Sequence, residues 1–321
     1  MDYSNIKVDK KLKIVYMGTP EFSEVVLRGL LEKYPVRAIV TQPDRERDRD
    51  KEIVFSPVKK VGIEKTILVL QPEKIKSQYE EILALEPDII ITCAYGQIIP
   101  SELIDYPKYG CINVHASLLP KLRGGAPIHR AIMNGHKETG ITIMYMNQDM
   151  DAGDIISQKK IEITDTDTAE SLHDKLAVLG RDLLLETLPS ILEGTNQRTK
   201  QETSEVTFGL TIKREDEKID FEKTKKQIYN QVRGLYSWPG AYCLFEGKIL
   251  KVWKCYYTDA IYSNLFNGQI SKVYPDGFGV KVNNGEVVFT EVQLEGKHRM
   301  SAIDFLNGVK NKENIIGKIL D

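Results

Sequence analysis

Apolar runs and helical spacings alternate along the first half of the chain. Residues 12–17 (LKIVYM) form an apolar run that stops at Gly18, and residues 21–33 set Phe22, Val25, Val26, Leu30 and Leu31 at helical spacing. Residues 36–41 (VRAIVT) read as a strand, and 73–85 as a helix with Pro87 just beyond its end. DIIITCA (88–94) and CINVHAS (111–117) are β-branched apolar runs, and 139–146 (TGITIMYM) and 154–163 (DIISQKKIEI) read as two more strands. A long helix is expected over 168–192, with Leu172, Leu176, Leu179, Leu183 and Leu184 on one side and Gly194 ending it. Apolar strands alternating with helices predict an α/β domain with a Rossmann-like, mostly parallel sheet, and place a site outside the carboxyl ends of its strands.

The pattern changes after residue 195. GTNQRTKQETSE is polar and aperiodic and reads as a linker. A short helix (222–234) then precedes strand-like runs at 241–245, 248–257, 268–274, 278–283 and 286–294, punctuated by Gly247, Gly268, Gly277 and Gly285. Short strands joined by turns predict a small β-barrel of OB-like type. The expected division is a first domain over 1–195, a linker over 196–207 and a C-terminal domain over 208–321.

Charge alters this picture only by region. The whole chain carries a net −2, whereas residues 208–321 hold 17 Lys+Arg against 14 Asp+Glu, a net +3 that suits contact with a phosphate backbone. Residues 42–57 (QPDRERDRDKEIVFSP) are a charged loop between Pro43 and Pro57, either a solvated surface loop or a functional lid. Cys93, Cys111, Cys243 and Cys255 form no CxxC pair, and no metal site is expected. The amino terminus has no apolar leader and no run reaches about 18 apolar residues, so a cytoplasmic, membrane-free location is expected.

The chemistry concentrates in residues 111–130, CINVHASLLPKLRGGAPIHR. Asn113 and His115 alternate on a strand-like run and so project to one face, where packing alone would favour Val or Ile. His115 is either a hydrogen-bonded structural histidine or a catalytic group, and Ser117 lacks the G-x-S-x-G context of a nucleophile. Asp151, in NQDMDAGD, is either one acidic residue of a turn or a carboxylate that pairs with His115 and fixes its tautomer. MGTP (17–20) follows the first strand but lacks the later glycines of G-x-G-x-x-G, which disfavours a nicotinamide cofactor.

NVHASLLPKLRGGAPIHRAI resembles the signature of the 10-formyltetrahydrofolate-dependent formyltransferases: Asn-x-His, then SLLP, R-G-x-x-P and a later D-x-G-D. MGTPEF, TQPDR, SPVK, AYGQIIP, ETGITIMYM and SWPGAYCLFEGKILKVWK extend the resemblance along the chain, to the branch that formylates charged initiator tRNA. One departure is the loop after TQPDR, which in that branch is glycine-bearing and basic but here reads RERDRDKE. The resemblance implies 10-formyltetrahydrofolate as co-substrate, initiator methionyl-tRNA as partner, no metal and a monomer. It implies Asn113, His115 and Asp151 as catalytic residues, and Ser117, Leu118, Leu119, Pro120 and Ile98 around the folate. Arg45, Arg49, Lys51 and Lys251 are the residues it offers to tRNA. A sugar-nucleotide N-formyltransferase and a catalytically idle binding module are the rival readings.

Overall fold

The computed structural model describes residues 11–46, 53–308 and 312–321. Arg49 and Lys51 lie outside the described residues. By compactness the chain forms two units: residues 1–124, 139–161 and 173–208 in the first, and 125–138, 162–172 and 209–321 in the second.

In chain order the strands of the first half are β1 (Ile14–Gly18), β2 (Val36–Val40), β3 (Arg45–Glu46), β4 (Ile53–Val54), β5 (Leu68–Leu70), β6 (Ile89–Cys93), β7 (Cys111–His115), β8 (Glu138–Tyr145) and β9 (Ile155–Glu162). Seven of them make one sheet in the order β5-β2-β1-β6-β7-β8-β9. From β5 to β7 the pairs are parallel, and β8 runs antiparallel to β7. The expected mostly parallel sheet is therefore present. Both β1 and β6 are buried along their whole length, which is why they read as unbroken apolar runs instead of alternating ones. Strand order reverses between β1 and β6, the place at which sheets of this kind bind ligands, outside the carboxyl ends of the strands.

Two expectations change in detail. Residues 73–85 do not form one helix: a 3-10 turn at Ile75–Ser77 and a short helix at Glu80–Leu83 replace it. Side chains take the backbone donors there, Gln97 Oε1 accepting from Ile75 N–H and Gln78 Oε1 from Lys74 N–H, both at 2.9 Å. The charged loop in turn contains a two-residue hairpin, β3 with β4, and ends in a helix, Pro57–Glu64. Ser56 caps that helix by accepting from Lys59 N–H, and Pro57 occupies its first turn.

The second half has β10 (Ala241–Phe245), β11 (Lys248–Thr258), β12 (Ile270–Tyr274), β13 (Gly277–Val282), β14 (Gly285–Leu294) and β15 (Met300–Ser301). They form an antiparallel sheet in the order β10-β11-β14-β13-β12, with β15 on β14. The C-terminal tail bridges its two ends. Gln269 pairs with Ile319 beside β12, while Leu244 and Asp321 exchange backbone hydrogen bonds on β10. That closure makes the sheet a barrel around Val252, Phe278, Val280, Val287, Phe289 and Val292.

Candidate active site

Asn113 and His115 occupy the carboxyl end of β7 on the same side of the strand, as the alternation predicts. Asn113 is half-buried. The Thr92 hydroxyl, on neighbouring β6, donates to its Oδ1 at 2.8 Å. A carboxamide is planar, so anchoring the oxygen also fixes the direction of its NH2 donors.

His115 is only 6% exposed, and both its ring nitrogens face acceptors. Nε2 lies 3.1 Å from the Leu122 carbonyl, and Nδ1 lies 3.7 Å from Asp151 Oδ2. A carbonyl and a carboxylate can only accept. The Leu122 carbonyl therefore takes a proton from Nε2, while the Asp151 carboxylate stands beyond hydrogen-bond distance of Nδ1 as a nearby negative charge.

Asp151 has φ +49°, a left-handed conformation that Asp adopts more readily than most residues. Its Oδ2 also accepts the Gly124 N–H at 2.8 Å. Gly153, two residues on, admits no side chain: a Cβ would stand 1.8 Å from the Tyr145 carbonyl. The D-x-G pattern is thus a turn packed against the end of β8. Residue 201, in the stretch read as a linker, holds this turn. The Gln201 amide donates to the carbonyls of Asp151 and Gly153, each at 2.8 Å, and its oxygen accepts the forked Arg123 guanidinium at 3.0 and 2.7 Å. Sequence reasoning missed Thr92 and Gln201. Arg123 was visible in the R-G motif, but its partner lies 78 residues away and no local pattern marks it.

The SLLP segment is folded inward. The Ser117 hydroxyl donates to the Lys121 carbonyl at 2.6 Å, and Leu119 N–H donates to the Thr142 hydroxyl at 3.1 Å. Gln158 donates to the Leu119 carbonyl at 2.8 Å. Ser117, Leu119 and Pro120 are buried and Leu118 is half-buried against Gly140. The segment's polar groups are largely spent on shaping the turn that carries Leu122 to His115 and Gly124 to Asp151. Ile98, on the segment after β6, is 71% exposed.

Of the residues offered to tRNA, Arg45 is exposed on β3. The Lys251 ammonium donates to the Pro239 carbonyl at 2.8 Å and lies over the Trp253 ring. An irregular register between Val252 and Cys255 turns Lys254 to the outer face of β11 together with Lys251. Cys111, four residues before His115, has its Sγ 3.6 Å from Met146 Sδ, and burial pushes the Cys93 thiol up to about 12. Among the described residues no cluster of three His, Cys, Asp or Glu side chains is arranged to hold a metal, and no helix is long and apolar enough to cross a membrane.

The formyl transferase model matches residues 11–188, and the formyl transferase C-terminal domain model matches residues 211–310. The chain is 51% identical over 306 residues to a methionyl-tRNA formyltransferase of Bacillus cereus (strain B4264), covering 93% of this chain and 96% of that protein. It is 50% identical over 306 residues to the enzyme of the same name in Bacillus thuringiensis subsp. konkukian (strain 97-27), with the same two coverages. Among solved structures, an N-formyltransferase from Helicobacter canadensis in complex with folinic acid and dTDP-3-aminofucose superposes with TM-score 0.64 at 20% identity, covering 87% of this chain and 98% of that one. HypX from Aquifex aeolicus in complex with tetrahydrofolic acid gives TM-score 0.65 at 18% identity, covering 94% of this chain and 48% of that one. At those identities the two structures bear on the fold alone.

Proposed function

Because the chain belongs to the methionyl-tRNA formyltransferase family, and so is an enzyme that formylates methionyl-tRNA for translation initiation, we propose how its residues perform that transfer and with which donor. The donor is 10-formyltetrahydrofolate, and the acceptor is the free amino group of methionine on initiator tRNA. The enzyme acts as a monomer in the cytoplasm. Residues up to about 195 carry the chemistry, and the 208–321 domain contributes to holding the tRNA.

In the transfer, the amine nitrogen forms a bond to the formyl carbon and the bond from that carbon to the folate nitrogen breaks. The amine loses one proton and the folate nitrogen gains one, so protons balance within the site. Asn113 presents its oriented NH2 to the oxyanion that develops on the formyl oxygen. His115, two residues along the same strand, is the general acid for the departing folate nitrogen. Asp151 faces the His115 ring and accepts the amine proton, directly or through a water molecule. Ile98 offers an exposed apolar surface to the flat pterin, and the turn built by Ser117, Leu118, Leu119 and Pro120 walls the same site. Arg45, Arg49, Lys51 and Lys251 meet the tRNA phosphates.

The observation that carries this reading is the joint anchoring of Asn113, His115 and Asp151 at the end of β7, each by a separate neighbour: Thr92, Leu122 and Gly124. The test is formyl transfer from 10-formyltetrahydrofolate to methionyl initiator tRNA and, separately, to methionyl elongator tRNA. The expected result is transfer to the initiator alone, with kcat reduced at least about 100-fold by His115→Ala. Equal transfer to both tRNAs removes the initiator specificity, and an unimpaired His115→Ala variant removes the role of His115.

A further inference from the structure

Residues 236–240 set two aromatic residues, a proline and a glycine within five positions of the second unit. Gly240 has φ +85°, and a Cβ there would stand 2.8 Å from the Trp253 ring, so the turn lies pressed onto that indole. Its Gly240 N–H donates to the Leu235 carbonyl at 2.9 Å, and the Lys251 ammonium donates to the Pro239 carbonyl at 2.8 Å. The turn is therefore braced at both ends, while the Trp238 side chain that it carries is 70% exposed.

Cations stand around this turn. The Arg299 guanidinium lies 4.9 Å from the Tyr236 ring centroid and 5.0 Å from that of Trp253, and Lys254 Nζ lies 5.9 Å from the Tyr236 centroid. Glu291 pairs with both Lys254 and Arg299, and the Ser237 hydroxyl donates to Glu170. Three cations thus face two carboxylates. An ammonium has three donors, and the bond to Pro239 leaves Lys251 two more. A singly exposed hydrophobic residue is ordinary. An indole held out on a braced turn, beside ammonium groups with donors to spare, matches what single-stranded nucleic acid requires: an aromatic face for a base and positive charge for its phosphates.

We propose that Trp238 is a stacking platform for an unpaired base of the tRNA, with Lys251 and Lys254 on the adjoining phosphates. The proposal rests on the tRNA reading above and extends it to a particular side chain and a particular feature of the partner. A duplex base pair is already stacked on both faces, so the platform takes a base from a loop, a bulge or a single-stranded end.

The test compares the full-length enzyme with Trp238→Ala and Trp238→Phe. Trp238→Ala raises the KM for methionyl-tRNA about 5- to 150-fold, the range of one lost base–aromatic stack. The KM for 10-formyltetrahydrofolate stays within about twofold. Trp238→Phe recovers most of the loss. The chain has 2 Trp, and Trp253 is buried, so tRNA quenches the emission of the wild type mainly through Trp238 and this quenching disappears in Trp238→Ala. An unchanged tRNA KM in Trp238→Ala overturns the proposal. So does a Trp238→Ala variant that keeps its tRNA KM but shifts a monomer–dimer equilibrium in sedimentation, since a second copy would then be the occupant. A wild type that makes no formylmethionyl-tRNA overturns the functional reading instead, and the quenching experiment still reads Trp238 on its own.

Discussion

In the proposed transfer, Asn113 aims its NH2 at the oxyanion only while Thr92 holds its oxygen. Thr92→Val keeps the shape of the buried residue and removes the hydroxyl, freeing the carboxamide to rotate. The expected outcome is a roughly tenfold fall in kcat, the scale of one net hydrogen bond, against a fall of about 100- to 1000-fold for Asn113→Ala. Neither change alters the KM for methionyl-tRNA appreciably, because neither side chain is placed on the tRNA surface. Steady-state kinetics with each substrate varied separately checks both, and a Thr92→Val enzyme with full kcat would show that Asn113 is oriented by something else. At this scale the sequence was partly readable. The Asn-x-His pair stood out because two polar side chains shared one face of an apolar strand. Thr92 did not, since a threonine inside a β-branched run has the composition of ordinary packing.

Elements meet closely where β8 passes β9. A Cβ on Gly140 would stand 2.2 Å from the Lys159 carbonyl and 2.7 Å from a Leu118 methyl, and backbone cannot yield as a flexible side-chain end can. Gly140→Ala therefore loses about 1–3 kcal/mol of stability, measured as a lower urea midpoint with little change in slope. Part of that strain reaches the turn under His115, because Leu118 precedes it. The long helix Ala169–Glu193 and most strands of both halves were legible, since burial on one or both faces leaves a period in the sequence. What escaped was short or held by distant partners: β5, with three residues, and the helix Pro127–Met133, with seven. The helix Pro57–Glu64 escaped for another reason: its Ser-Pro start signal sits at the end of a charge run whose composition is that of a solvated loop.

For the molecule as a whole, acid is the condition that undoes its ion pairs. Hydrogen bonds from Arg130 hold the Asp216 carboxyl below its ordinary value through a two-pronged contact at 3.0 and 2.6 Å. Burial works to raise the Asp44 carboxyl, but hydrogen bonds from Lys59 and Gln71 outweigh it and hold that group low as well. A carboxyl held low in the folded state adds stability that is complete above its unfolded value, near pH 4, and is lost as pH falls through the depressed one. The urea midpoint should thus decline on acidification below about pH 4. Asp216→Asn should lower the neutral-pH stability by about 1 kcal/mol and flatten that decline. An unchanged acid slope in the variant would assign the decline to other carboxylates.

The interleaving of the two units also bears on the order in which the protein can be made. Residues 125–138 and 162–172 emerge from the ribosome early, yet they belong to the unit whose remainder is residues 209–321. At a synthesis rate of about 5–20 residues per second, those two stretches wait for roughly 5–20 s before their partners exist. The first unit receives its last segment, 173–208, much sooner. During that interval the nascent chain exposes the apolar side of Pro127, Ala131 and Ile132 to whatever else is in the cell. Slowing translation after residue 208 would lengthen the exposure.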